Sequence, residues 1–356
     1  MVGLYSGYIQ VHKQGYWNEQ VLENSFELTA TTEKQLLAHK NITALAPRIE
    51  SFALASSHDI TKGCMVIGVN PEKEDQITQL KNKMIEGRYF RSNDKSILIG
   101  KGLAQRLQLH LNDTLILIGQ GYHGTMAAGK YPICGLVKFG SPDLNDKVLY
   151  MPLQLAQELF GADNMITTCV LSMQNPNNLD ETANKLKIAI GGNYEVMTWK
   201  EIMPEIVQHM RTDTTNMKVI QGILYVLISF GIFGTLIMMM VERKFEMGML
   251  IAIGMNKTKL IALLLFESIF TVFSGCILGL LASIPLVYYL QKHPITFSGK
   301  IAVIYERFGF EAIFPTATEI SIFISQGIIV LLIGLVLSLY PVYKTIRLHP
   351  VNAMRK

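Results

Sequence analysis

The chain has little of what a disulfide scaffold or a metalloenzyme needs. Among its 356 residues are only 4 cysteines. Cys64, Cys134, Cys169 and Cys276 are unevenly spaced and form no C-x-x-C pair. That spacing argues against a disulfide framework, leaves room for a single bridge, and fits no zinc pattern. The 8 histidines are scattered, with no H-E-x-x-H and none inside an apolar run, which argues against zinc chemistry and against serine–histidine proteolysis within a membrane. Charge is scarce too, at 17% of residues, and the shortage is local. Three runs, 219–241, 268–290 and 320–343, contain no charged residue. At 1.5 Å per residue each exceeds the ~30 Å hydrocarbon core of a bilayer, so three transmembrane helices are expected.

The charges that are present set an orientation. Residues 1–217 hold 20 Lys+Arg against 22 Asp+Glu, and residues 218–356 hold 12 against 6, which together make the 32 and 28 of the whole chain. The net +4 is therefore a membrane-flank effect and not a nucleic-acid patch. Arg243, Lys244, Lys257 and Lys259 lie in the link between the first two runs, and Lys344, Arg347, Arg355 and Lys356 follow the third. Both segments are expected in the cytoplasm. The loop 291–319 balances Lys292, Lys300 and Arg307 with Glu306, Glu311 and Glu319, and is expected outside. One crossing separates residues 1–217 from the basic link, so that domain is expected outside as well. The first residues have neither the basic region nor the apolar core of a signal peptide. A transmembrane helix preceding Met1 is accordingly expected.

The external domain reads as α+β. Alternation marks strands at 7–12, 64–69, 96–100, 113–118 and 194–198, and helical spacing marks 33–39, 101–109, 153–160 and 179–190. Gly161 ends one of these helices, and Asn177 or Asn178 is placed to cap another. From Lys200 to the first apolar run there is no glycine, and Pro204 suits a first turn, so a stiff stalk helix is expected to run on into the membrane.

Gly124-Thr125-Met126-Ala127-Ala128-Gly129-Lys130 fits the first seven positions of a phosphate-binding loop. Tyr131 then stands where a Ser or Thr must hold Mg²⁺, and Pro132 and a strand follow where a helix should begin. The segment reads better as a hairpin tip, so no nucleotide or other cofactor is expected on this chain. Glu267, the one ionisable residue of the second apolar region, is either functional or paired with a basic neighbour near the interface. Gly275 and Gly279 form a small-xxx-small pattern suited to close helix packing, within the chain or between chains. The link 242–254 is more specific. As a helix it sets Glu242 and Glu246 on one face with Arg243 nearby, and Met247, Leu250, Ile251 and Gly254 on the other. Two acids and two glycines do not suit a helix that only floats on an anionic membrane face.

Glu242-Arg243-x-x-Glu246-Met247-Gly248-x-Leu250-x-Ala252-Ile253-Gly254 resembles the coupling segment of FtsX/MacB-type ABC transporter permeases. Gly87-Arg88-Tyr89-Phe90, Ile99-Gly100-x-Gly102-Leu103-Ala104, Gly140-Ser141-Pro142-Asp143-Leu144-Asn145 and the terminal Arg347-Leu348-His349-Pro350-Val351 resemble the lipoprotein-releasing (LolC/LolE) branch. The resemblance implies a MacB-like α+β periplasmic domain (1–217) followed by an all-α membrane domain (218–356) of three transmembrane helices where the family has four. It places helices at 219–241, 261–290 and 320–343, the coupling segment at 242–257, a periplasmic loop at 291–319 and a tail at 344–356. It implies an inner-membrane, non-enzymatic subunit working by mechanotransmission with a second permease subunit and a dimer of ATPase subunits that bind the ATP. The cargo would be a lipoprotein or other hydrophobic molecule, passed to a periplasmic carrier at a hairpin marked here by Gly124, Gly129 and Tyr131. The alternative is a regulator of the same fold that activates a periplasmic cell-wall hydrolase.

Overall fold

The computed structural model describes residues 6–139, 141–299, 313–314 and 316–346. Gly140, the loop charges Lys300, Glu306, Arg307 and Glu311, and the terminal motif 347–355 lie outside the described residues. Residues up to Gln208 make one compact unit, and the helices from His209 onward belong to a second.

The first unit is built on ten strands: β1 (Ile9–Lys13), β2 (Ile42–Ser57), β3 (Ile60–Val69), β4 (Met84–Gly87), β5 (Ile97–Gly100), β6 (Thr114–Gln120), β7 (Met126–Val137), β8 (Val148–Pro152), β9 (Thr168–Met173) and β10 (Tyr194–Thr198). They pair in the order β10-β1-β9-β2-β3-β8-β5-β7-β4. β6 pairs with both β2 and β7, so β2, β3, β8, β5, β7 and β6 close into a ring. Most of these pairs are antiparallel; β3 with β8 and β5 with β7 are parallel. The closure depends on the length of β2, which pairs with β9 through Ile42–Arg48 and with β6 through Ala53–Ser56.

Alternate residues of a strand face opposite ways, and here both faces are covered. Ile97 and Ile99 of β5 and Leu149 and Met151 of β8 pack with helices α3 (Lys101–Leu107) and α4 (Leu153–Phe160), while Leu98, Val148 and Tyr150 join a second cluster with Phe90 and Phe139. Helix α1 (Ala30–Leu37) precedes β2, and α5 (Leu179–Ile190) covers β1, β9 and β10 through Leu179, Ala183 and Leu186. Asn178 is the N-cap residue of α5 but makes no side-chain cap bond; Asn175 instead accepts from the Asn177 amide at 3.0 Å. Helix α2 (Pro71–Thr78) is capped by Asn70, whose Oδ1 accepts from the Lys73 amide. It brings Glu74 to the fully buried Arg48, whose Nε and Nη2 donate to the carboxylate at 2.9 and 2.7 Å. All four cysteines are free thiols, and burial pushes that of Cys64 up to about 12.

The second unit holds α6 (Pro204–Glu242) from His209 onward, α7 (Lys244–Ala252), α8 (Lys257–Lys292) and α9 (Ile320–Ile346). Three of these, α6, α8 and α9, are long and apolar enough to cross a membrane. α6 begins with Pro204 in its first turn and runs unbroken for 39 residues, about 58 Å.

Candidate functional site

The link between α6 and α8 is not one continuous helix. α6 ends at Glu242, Arg243 interrupts it with φ −94° and ψ 7°, and α7 starts at Lys244. Glu242 and Glu246 therefore sit on different helices, which corrects the expectation of a single face. α7 ends in a Schellman motif: the Met255 amide donates to Leu250 O at 3.0 Å and the Gly254 amide to Ile251 O at 3.1 Å. Gly254 adopts φ +103°, a left-handed conformation in which any side chain costs about 1 kcal/mol or more. Asn256 then caps α8, its Oδ1 accepting from the Thr258 amide.

α7 has two faces of different fate. Met247 and Gly248 are buried, and Met247 packs with Met240 of α6 and Leu260 and Leu264 of α8, with Leu250, Ile251 and Met255 at the margin. Of the residues expected to form the coupling segment, Met247 and Gly248 are thus buried within the chain's own second unit. Phe245, Met249 and Ile253 are exposed on the other side, with Glu246 and Ala252. They recur at i, i+4 and i+8, a spacing visible in the sequence. At the break before α7, Arg243 Nη1 lies 2.5 Å from Glu267 Oε1, which places the charge of the second apolar region in an ion pair.

Among the described residues, no other helix comes into contact with Gly275 or Gly279. A Cβ built at either meets no described atom within 4 Å, and both line a cavity of about 550 Å³ with Gly231, Thr235 and Gly327. The close approach of α8 and α9 is made elsewhere, where Gly334 sits against Val272 and Gly327 against Leu280. Tyr225 donates to Gln326 Oε1 and ties α6 to α9.

The segment 119–131 forms the turn and part of the strands of the β6–β7 hairpin, with Ile118 opposite Ala128 and Gln120 opposite Met126. Gly124 is at its tip with φ +73°, beside exposed His123 and Met126. Tyr131 does not face outward: its ring is buried in the main core, opposite Leu115 in the register, and Gly129 leaves space for that ring. The hairpin is also not free-standing, since β6 pairs with β2.

The sequence matches the MacB-like periplasmic core domain family over residues 5–189 and the FtsX-like permease C-terminal family over residues 218–350. The lipoprotein-releasing system transmembrane protein LolC of Xylella fastidiosa (strain 9a5c) is 20% identical over 323 residues, 88% of this chain and 78% of that protein. The LolC protein of Neisseria meningitidis serogroup B is 21% identical over 326 residues, 89% of this chain and 79% of its own length. LolE of Haemophilus influenzae is 20% identical over 269 residues, 72% of this chain and 64% of that protein.

Proposed function

This chain belongs to the permeases that join a MacB-like periplasmic core domain to an FtsX-like permease domain, and from that membership we propose that it couples a separate cytoplasmic ATPase to movements of its periplasmic domain. The observation that carries the reading is the division of α7. One face is fixed to α8 through Met247, Leu260 and Leu264, and the other presents Phe245, Glu246, Met249 and Ile253. A short helix held from behind and apolar in front, at the basic end of two membrane-length helices, is suited to receive force from a docked protein. Glu242 and Glu246 supply charge at that surface, and both are exposed. A second permease subunit, homologous or identical, completes the membrane part, in line with the LolC and LolE names of the relatives.

The cargo class that fits those names is lipoprotein, or another lipid-anchored molecule, released from the outer leaflet of the inner membrane. The exposed end of the β6–β7 hairpin, around His123, Gly124 and Met126, is the surface on which a periplasmic carrier would act. The test is a double charge reversal, Glu242→Lys with Glu246→Lys, in the chain expressed with its ATPase. Co-purification of the ATPase and ATP-dependent release of lipoprotein from membranes should both fall by about tenfold, the effect of roughly 1.4 kcal/mol at an interface. Unchanged co-purification and release would refute the reading.

A further inference from the structure

Arg243 belongs by sequence to the coupling segment, yet its guanidinium is engaged inside the membrane unit. It sits at the break between α6 and α7. Met240 on α6, Arg243 at the break and Met247 on α7 face Leu260, Leu264 and Glu267, which lie at i, i+4 and i+7 on α8. The apolar members meet in one buried cluster, and the charged members close the seam as an ion pair between Nη1 and Oε1 at 2.5 Å. Glu267 is about 15 Å along α8 from Lys257, and its side chain is 26% exposed while that of Arg243 is 50% exposed. A carboxylate at that depth is costly unless a cation accompanies it. Leucine or alanine would have held the seam without that cost, so the pair adds direction and not merely adhesion.

Resting on the coupling function proposed above, we propose that Arg243 and Glu267 form a strut that positions α7, so that displacement of the coupling helix is delivered to α8 rather than absorbed at the Arg243 break. The apolar cluster holds α7 against α8 without setting its azimuth, since packing of methionine and leucine is non-directional. The ion pair fixes the azimuth, because a guanidinium and a carboxylate pair in a narrow geometry.

The experiment uses the full chain with its ATPase in membranes, comparing Arg243→Glu, Glu267→Arg and the exchanged pair carrying both. Glu267→Arg should leave ATPase co-purification within about twofold of wild type, each single reversal should lower ATP-dependent release by about tenfold, and the exchange should restore most of it. A readout without the ATPase accompanies this: disulfide cross-linking of Met247→Cys to Leu264→Cys should weaken in the single reversals and recover in the exchange. Where a reversed variant does not reach the membrane, Glu267→Gln removes the charge at constant volume and carries the same readouts. Single variants that release normally, or an exchange no better than its parents, would overturn the strut. If wild type never co-purifies with an ATPase while cross-linking responds as stated, the coupling function fails and the strut stands.

Discussion

His12 shows how one residue can report on a whole domain. It is buried, with Nδ1 3.1 Å from Thr167 O and Nε2 3.1 Å from Gln10 Oε1, and it stacks on Tyr16 at 5.0 Å. Burial lowers its pKa from 6.5 to about 4, against the opposing pull of the Thr167 carbonyl. Between those values the unfolded chain binds the proton and the folded chain does not. The contribution of His12 to stability is therefore complete above pH 6.5 and is lost as the pH falls toward 4, a change on the order of 3 kcal/mol. Both tryptophans, Trp17 and Trp199, lie in the first unit, and Trp17 is 5.7 Å from His12. Thermal unfolding followed by tryptophan fluorescence should thus move to lower temperature across this pH range. In His12→Gln that pH dependence should flatten; an equally steep profile would show that other groups cause it. Nothing in the sequence marks His12 as buried, because its partners Thr167 and Thr168 are more than 150 residues away and become neighbours only through the β1–β9 pairing.

Elements differed in how far the sequence disclosed them. α5, with its polar first turn and Gly191 stop, and α4, ended by Gly161 at φ +63°, are governed by local signals and were legible. β2 was not, since it carries Pro47 and the buried Arg48 in mid-strand, where pairing with Cys169 and Thr168 decides the conformation. β8 was equally hidden: Val148–Pro152 is buried on both faces and so has no alternation to read. In the link, the apolar spacing of Met247, Leu250 and Ile251 did mark the side that turned inward, whereas the break at Arg243, which separates Glu242 from Glu246, had no signal in the sequence. The glycines of the membrane helices raise the same problem, and substitution separates them. Gly334→Ala places a methyl group against Val272 and should destabilise the purified chain by about 1–3 kcal/mol. Gly275→Ala meets open space, so helix propensity alone should act and favour alanine by up to ~1 kcal/mol. Melting temperatures in detergent should therefore shift in opposite directions. A loss at Gly275 would mean that a helix from another subunit occupies the cavity it lines.

At the scale of the molecule, the critical element is α6. Its 39 residues span about 58 Å, close to twice the ~30 Å a bilayer core requires. The stretch 205–218 holds the polar surplus, including Glu205, Arg211, Asp213 and Lys218, and is exposed or partly exposed along its length. A helix segment with so little packing keeps its shape mainly through its own backbone bonds, with local side-chain contacts such as His209 to Asp213 at 3.3 Å. Thr214 and Thr215 even return their hydroxyls to the carbonyls of Met210 and Arg211, at 2.7 and 2.9 Å. If this rod carries motion, its stiffness matters more than its surface. Thr214→Pro removes one backbone bond and crowds the Met210 carbonyl, at a local cost of about 3 kcal/mol, and kinks the helix there. Thr214→Ala removes the same hydroxyl and keeps the rod straight. The proline variant should bind the ATPase as wild type does, because α7 and its exposed face are untouched, yet release lipoprotein several-fold more slowly, while the alanine variant should match wild type in both respects. Normal release by the proline variant would mean that motion reaches the periplasmic domain by another route than a rigid α6.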